Sequence, residues 1–305
     1  METRTRFEEA LDSLVAKLKK DRTILAAILF GSMAYDEVWD KSDIDLYLIS
    51  IDDRTAPKGN FCLLEDGVNI HACVLPRSEL KSLVEGDLQG GFFHSTFSRS
   101  RILYSTDDSI SELYRNIHHV GERDRSFQLM GAANGLLATL TKAEKWLHIK
   151  QDLEYSFVWT LSCVTSLAKM EVIFAGEVPG REVVQAALRH NPELFRAVYT
   201  DLIHGAKTAE TLGAAINRIN TYLDERLDLL FQPVLDFLAE AGGPRSTTEL
   251  DAHFHQQGAS SLWGVYEWLA DRGVIEKVPL PVRLGEKSRA AMDEAAYYYE
   301  GEGAR

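Results

Sequence analysis

Hydrophobic residues recur with two different periods along this chain, and the change of period divides it. Over residues 1–120, short apolar runs alternate with amphipathic stretches. A charged amphipathic helix is expected over 6–20, then a strand at TILAAILF (23–30), a Gly-Ser turn and a strand at DIDLYLIS (43–50). FCLLE (61–65) and VNIHACVL (68–75) flank Asp66-Gly67, a pair that favours the two-residue type I′ hairpin. A helix at SELKSLVEG (78–86) with Ser78 as its N-cap, a strand at RILYS (101–105) and a helix near 109–119 complete this part.

Over 121–228 the period is helical. Phe127, Met130, Ala133, Leu137, Leu140 and Leu147 form one apolar stripe, and YSFVWTLSCVTSLAKMEVIFAG (155–176) is apolar on nearly every side, as the buried helix of a bundle should be. Helices resume near Arg181, Pro192 and Thr208. Over 229–305 the order is helix, helix, helix and a short strand pair, which suits a small winged-helix-like module. The expected fold class is therefore α+β: a mixed sheet with helices, a helical-bundle domain, and the C-terminal module.

Chemistry concentrates in LFGSMAYDEVWDKSDIDLYLIS (29–50). Gly31-Ser32 follows a strand directly, and ten residues later Asp43-Ile44-Asp45 opens another. Residues i and i+2 of a strand share a face, so Asp43 and Asp45 point together while Ile44 and Leu46 face the core. Two adjacent carboxylates repel, with Lys41 as the nearest cation, and a divalent ion would relieve that repulsion. Hard oxygen donors select Mg²⁺ or Mn²⁺. Gly31 permits close approach of backbone to a ligand, and Ser32 with its neighbouring amides suits a triphosphate.

This FGS(x10)DID arrangement resembles the signature of the nucleotidyltransferase superfamily shared by DNA polymerase β and the antibiotic and minimal nucleotidyltransferases. The likeness spans about residues 20–105. It implies a nucleotidyltransferase-type sheet and transfer of a nucleoside monophosphate, AMP being expected, from an NTP such as ATP to a hydroxyl, with Mg²⁺ (or Mn²⁺) as cofactor and pyrophosphate leaving. It places Asp43 and Asp45 on the metal and Gly31, Ser32 and Lys41 on the nucleotide. The family's third carboxylate, on a later strand, is replaced here by His71, which shares a face with Asn69 and Cys73. Three readings stay open: His71 acts as base, another acid substitutes, or the site turns over weakly. Glu144, a charge on the apolar stripe, leads the substitutes, followed by Glu122 and Asp124.

Composition narrows the partners. With 33 basic and 46 acidic residues the formal net charge is −13, which argues against a general nucleic-acid or anionic-membrane binder and would suit a cationic small-molecule acceptor. Residues 231–285 hold four basic against seven acidic residues, so DNA binding by the C-terminal module is not expected, and a protein contact or homodimer is. Three cysteines without a C-x-x-C pair give no disulfide framework. The charged N-terminal helix lacks an apolar signal segment, so a cytoplasmic location is expected. The alternatives to a small-molecule enzyme are a nucleotide-binding regulator acting through the C-terminal module, or transfer to a protein or RNA hydroxyl.

Overall fold

The computed structural model describes residues 2–35, 38–52, 54, 56–86, 96–116, 122–285, 290 and 292–301, and the chain folds as two compact units, Met1–Gly121 and Glu122–Arg305.

In the first unit, β1 (Ile24–Phe30), β2 (Ile44–Ser50), β3 (Gly59–Glu65), β4 (Val68–Pro76) and β5 (Arg101–Ser105) form one sheet in the order β3-β4-β2-β1-β5. The sheet is mixed: β2 and β4 run parallel, and the other pairs are antiparallel. The β3–β4 hairpin closes at Asp66 (φ 49) and Gly67 (φ 75), the two left-handed residues that a type I′ turn requires.

Helix α1 (Glu2–Leu18) starts before the expected residue 6 and lays Phe7, Ala10, Leu11 and Leu14 on one face of the sheet. There they bury Ala27, Leu29, Ile44, Leu46, Leu48, Ile70, Ala72 and Val74. On the opposite face a smaller core joins Ala26, Ile28, Tyr47 and Ile49 to Leu80 of α2 (Arg77–Gly86), Phe97, and Ile110 of α3 (Asp108–Asn116). β2 is thus buried on both faces, and its apolar run reads accordingly. Helix α2 begins one residue before Ser78, which is not its N-cap. The Asp52 carboxylate accepts from the Ser78 amide at 2.8 Å, so a distant residue satisfies the first turn.

The second unit is built on α4 (Glu122–Glu144) and α5 (Leu153–Phe174), joined through a π-helical turn at Lys145–Ile149. Asp152 caps α5 through the Tyr155 amide. By length and composition α5 could cross a membrane, but Cys163, Leu167, Ala168 and Met170 lie fully buried in this unit's core. Two of its buried polar groups are paired: the Ser156 hydroxyl donates to the Ala143 carbonyl at 3.0 Å, and the Tyr222 hydroxyl donates to Glu171 at 2.6 Å, whereas Trp159 Nε1 is buried without a hydrogen-bond partner. Later helices start where sequence signals stand, at Pro192 and after the Thr208 and Ser246 capping boxes. Helices Gln232–Ala241, Thr247–Gln256 and Trp263–Asp271 pack with a three-stranded sheet of β6 (Arg245–Ser246), β7 (Glu276–Val282) and β8 (Met292–Tyr298), in the order β6-β8-β7.

Candidate active site

Strand register brings the sequence candidates of the first unit together. Phe30, the last residue of β1, is paired with Asp45 on β2, and Asp45 is paired in turn with His71 on β4. Gly31 therefore sits beside the start of β2. Its φ is +76°, and a Cβ there would lie 2.3 Å from Asp45 Oδ2. Glycine is required at this position twice over, by the left-handed backbone and by the carboxylate seated against it. Ser32, half-exposed, opens a 3₁₀ turn through Tyr35, and the Ala34 amide donates back to the Gly31 carbonyl at 3.0 Å.

Asp43 and Asp45 flank Ile44, which is wholly buried, so both carboxylates emerge on the side opposite the α1 core. β4 alternates strictly: Val68, Ile70, Ala72 and Val74 are buried, while Asn69 and His71 are exposed and Cys73 is half-buried on the other face. His71 Nδ1 lies 2.9 Å from Asp43 Oδ2 and 3.8 Å from Asp45 Oδ1, and one ligating atom of each residue falls within 4.8 Å of the others. Asp45 is the most enclosed, its side chain 25% exposed against 41% for Asp43 and 52% for His71. The three groups are open to solvent and to a ligand. Burial pushes the Cys73 thiol up.

Lys41 stands on a turn closed by the Trp39 amide donating to Ser42 Oγ and the Ser42 amide donating to the Trp39 carbonyl. Its Nζ lies 5.8 Å over the exposed Trp39 ring. Glu144 belongs to the second unit, where Asn220 Nδ2 donates to its carboxylate at 2.8 Å, so a polar partner accounts for a charge on the apolar stripe. Asp124 is half-exposed in the same unit, and the side chain of Glu122 lies outside the described residues.

Sequence reasoning missed the support beneath the site. Phe30 stacks on Tyr47 at 4.3 Å between centroids, and Tyr47 on Phe97 at 4.8 Å. The same segment holds the Arg99 guanidinium 4.1 Å over the ring of Tyr35, at the end of the Gly31 turn. Tyr47 was legible as the i+2 neighbour of Asp45; Phe97 and Arg99 lie in a stretch without periodic pattern.

Residues 12–109 match the family described as polymerase beta, nucleotidyltransferase. The first unit holds a nucleotidyltransferase domain. The matched range includes the mixed sheet, the Gly31 turn and the Asp43–Asp45 pair. The crystal structure of a nucleotidyltransferase-like protein from Exiguobacterium sibiricum 255-15 is similar in fold at 13% identity and a TM-score of 0.66, covering 96% of this chain and 99% of that one. Spectinomycin adenyltransferase AAD(9) from Enterococcus faecialis, solved with ATP and spectinomycin, aligns at 13% identity over 70% of this chain and 99% of its own, with a TM-score of only 0.32. No curated protein matches the chain.

Proposed function

We propose that this nucleotidyltransferase moves a nucleoside monophosphate, AMP from ATP, onto a hydroxyl of a small-molecule acceptor. The acceptor hydroxyl gives up its proton to solvent as its oxygen forms a bond to the α-phosphorus, the bond from that phosphorus to the α–β bridging oxygen breaks, and pyrophosphate leaves with the electron pair. The observation that carries this reading is the seating of Asp45 against Gly31, which sets a carboxylate pair beside a glycine turn within the matched domain.

The donor set fits a hard divalent ion: two aspartate oxygens and an imidazole nitrogen lie within 4.8 Å of one another. Asp43 and Asp45 would hold that ion, which supplies neutralisation of phosphate charge and stabilises the entering and leaving oxygens. The Gly31–Ser32 bend and the Ser32 hydroxyl hold phosphate oxygens, and Lys41 meets the nucleotide from its turn. The net charge of −13 supports a cationic acceptor.

A second reading, a nucleotide-binding regulator of low turnover, is favoured by one observation: His71 stands in place of a carboxylate. Incubation with each labelled NTP, a divalent ion and an acceptor panel separates the two. Acceptor-dependent pyrophosphate release supports the transferase; tight nucleotide binding with no release under any acceptor supports the regulator.

A further inference from the structure

The imidazole at the third position changes which ion the site selects, an inference that rests on the reading of Asp43 and Asp45 as metal ligands. Adjacent ligands of an octahedral ion held at the usual oxygen distance lie about 3 Å apart. His71 Nδ1 pairs with Asp43 Oδ2 at 2.9 Å and lies 3.8 Å from Asp45 Oδ1, and the first of these spacings is also that of two ligands sharing one ion. The backbone holds it there. Asp45 and His71 are register partners on parallel strands, and Ile70 and Ala72 anchor the imidazole's strand in the opposite core.

Replacing a carboxylate by a neutral nitrogen has two effects. The protein's charge on the ion falls by one, which weakens attraction for Mg²⁺, an ion that sheds water reluctantly and favours oxygen. The nitrogen also adds a donor that first-row transition ions accept, with Mn²⁺ tolerating both carboxylate and imidazole. Sulfur does not enter the cluster, which consists of Asp43, Asp45 and His71. We infer that His71 Nδ1 ligates the ion held by Asp43 and Asp45, and that the site takes Mn²⁺ in preference to Mg²⁺.

The test uses the full chain stripped of metal and titrated with Mn²⁺ or Mg²⁺ alone, without nucleotide, by calorimetry. Wild type is expected to bind Mn²⁺ at least about tenfold more tightly than Mg²⁺. His71→Asp should bring that ratio towards unity by strengthening Mg²⁺, and His71→Ala should lose about 10- to 100-fold in Mn²⁺ affinity. Pulsed paramagnetic resonance on the Mn²⁺ complex gives the direct signature: a ¹⁴N coupling in wild type that disappears in both variants. Circular dichroism checks that each variant is folded. Bound Mn²⁺ without nitrogen coupling, or a Mn²⁺/Mg²⁺ ratio that His71→Asp leaves unchanged, overturns the inference while leaving the transferase reading intact. Nitrogen coupling in a protein that releases no pyrophosphate from any NTP and acceptor upholds the metal assignment and removes the transferase reading.

Discussion

One face of the five-stranded sheet is closed along its length by α1, while the other is closed at one end only. On the first, Ile44, Leu46, Leu48, Ile70, Ala72 and Val74 meet Phe7, Leu11 and Leu14 in a continuous apolar layer. On the second, Tyr47 and Ile49 are covered by α2, Phe97 and α3, but Asp45, two residues before Tyr47 on β2, and its register partner His71 on β4 stay accessible. Each face also carries acid, and the treatment differs. Glu65, on the α1 side, is buried and receives Lys17 Nζ at 2.6 and 2.7 Å and Ser13 Oγ at 2.6 Å. Asp43 and Asp45 instead face each other across His71. On the α1 side the carboxylate is neutralised and buried; on the other, Asp43 is paired with His71 and both aspartates stay accessible. On β2 the buried Ile44 thus stands between two accessible carboxylates.

That contrast is breakable by adjacent substitutions. Asp45→Ala is expected to lower transfer kcat/KM by about 10³-fold, roughly 4 kcal/mol of transition-state stabilisation, with little change in melting temperature. A comparable loss of thermal stability would mean that the open face is structural after all. Leu46→Ala should do the reverse. Its side chain is fully buried, so its removal should cost about 3 kcal/mol, read as a lower denaturant midpoint, with Mn²⁺ affinity of the folded protein retained.

Gly31→Ala acts on both sides of the divide. The left-handed backbone costs about 1–2 kcal/mol with a Cβ, and the methyl must displace the Asp45 carboxylate. Nucleotide affinity is expected to fall by more than the stability change alone accounts for, and equal effects in the two measurements would remove Gly31 from the site. Glu65→Gln gives the smallest change, a loss of stability seen near neutral pH that vanishes in acid. Hydrogen bonds from Lys17 and then Ser13 hold the Glu65 carboxyl below its ordinary value of 4.5, so its contribution is present above that pH and lost as pH falls below it. The variant should flatten the acid limb of stability against pH.

Much of this was legible from residue order. The Asp66-Gly67 turn, the alternation of VNIHACVL and the i, i+2 placement of Asp43 and Asp45 follow from local rules, and the first unit obeys them. What could not be read are contacts made across long stretches of chain. Ser78 looks like a cap until Asp52 arrives to serve its amide. Glu144 looks like a group facing a cleft until Asn220, 76 residues away, donates to it. The π-helical turn at Lys145–Ile149 leaves no mark in the hydrophobic stripe, and the Phe30–Tyr47–Phe97 stack joins three segments that no periodicity connects.

The parallel pairing of β2 with β4 also orders events in time. Asp43 and Asp45 are expected to reach their positions when β1 and β2 pair, and His71 when the β3–β4 hairpin docks alongside β2. Non-local parallel contacts are slow because the loop must close before they are rewarded. In a refolding experiment, the nitrogen signature on manganese should therefore lag behind recovery of hairpin structure, making ion capture a clock for the last step of assembly.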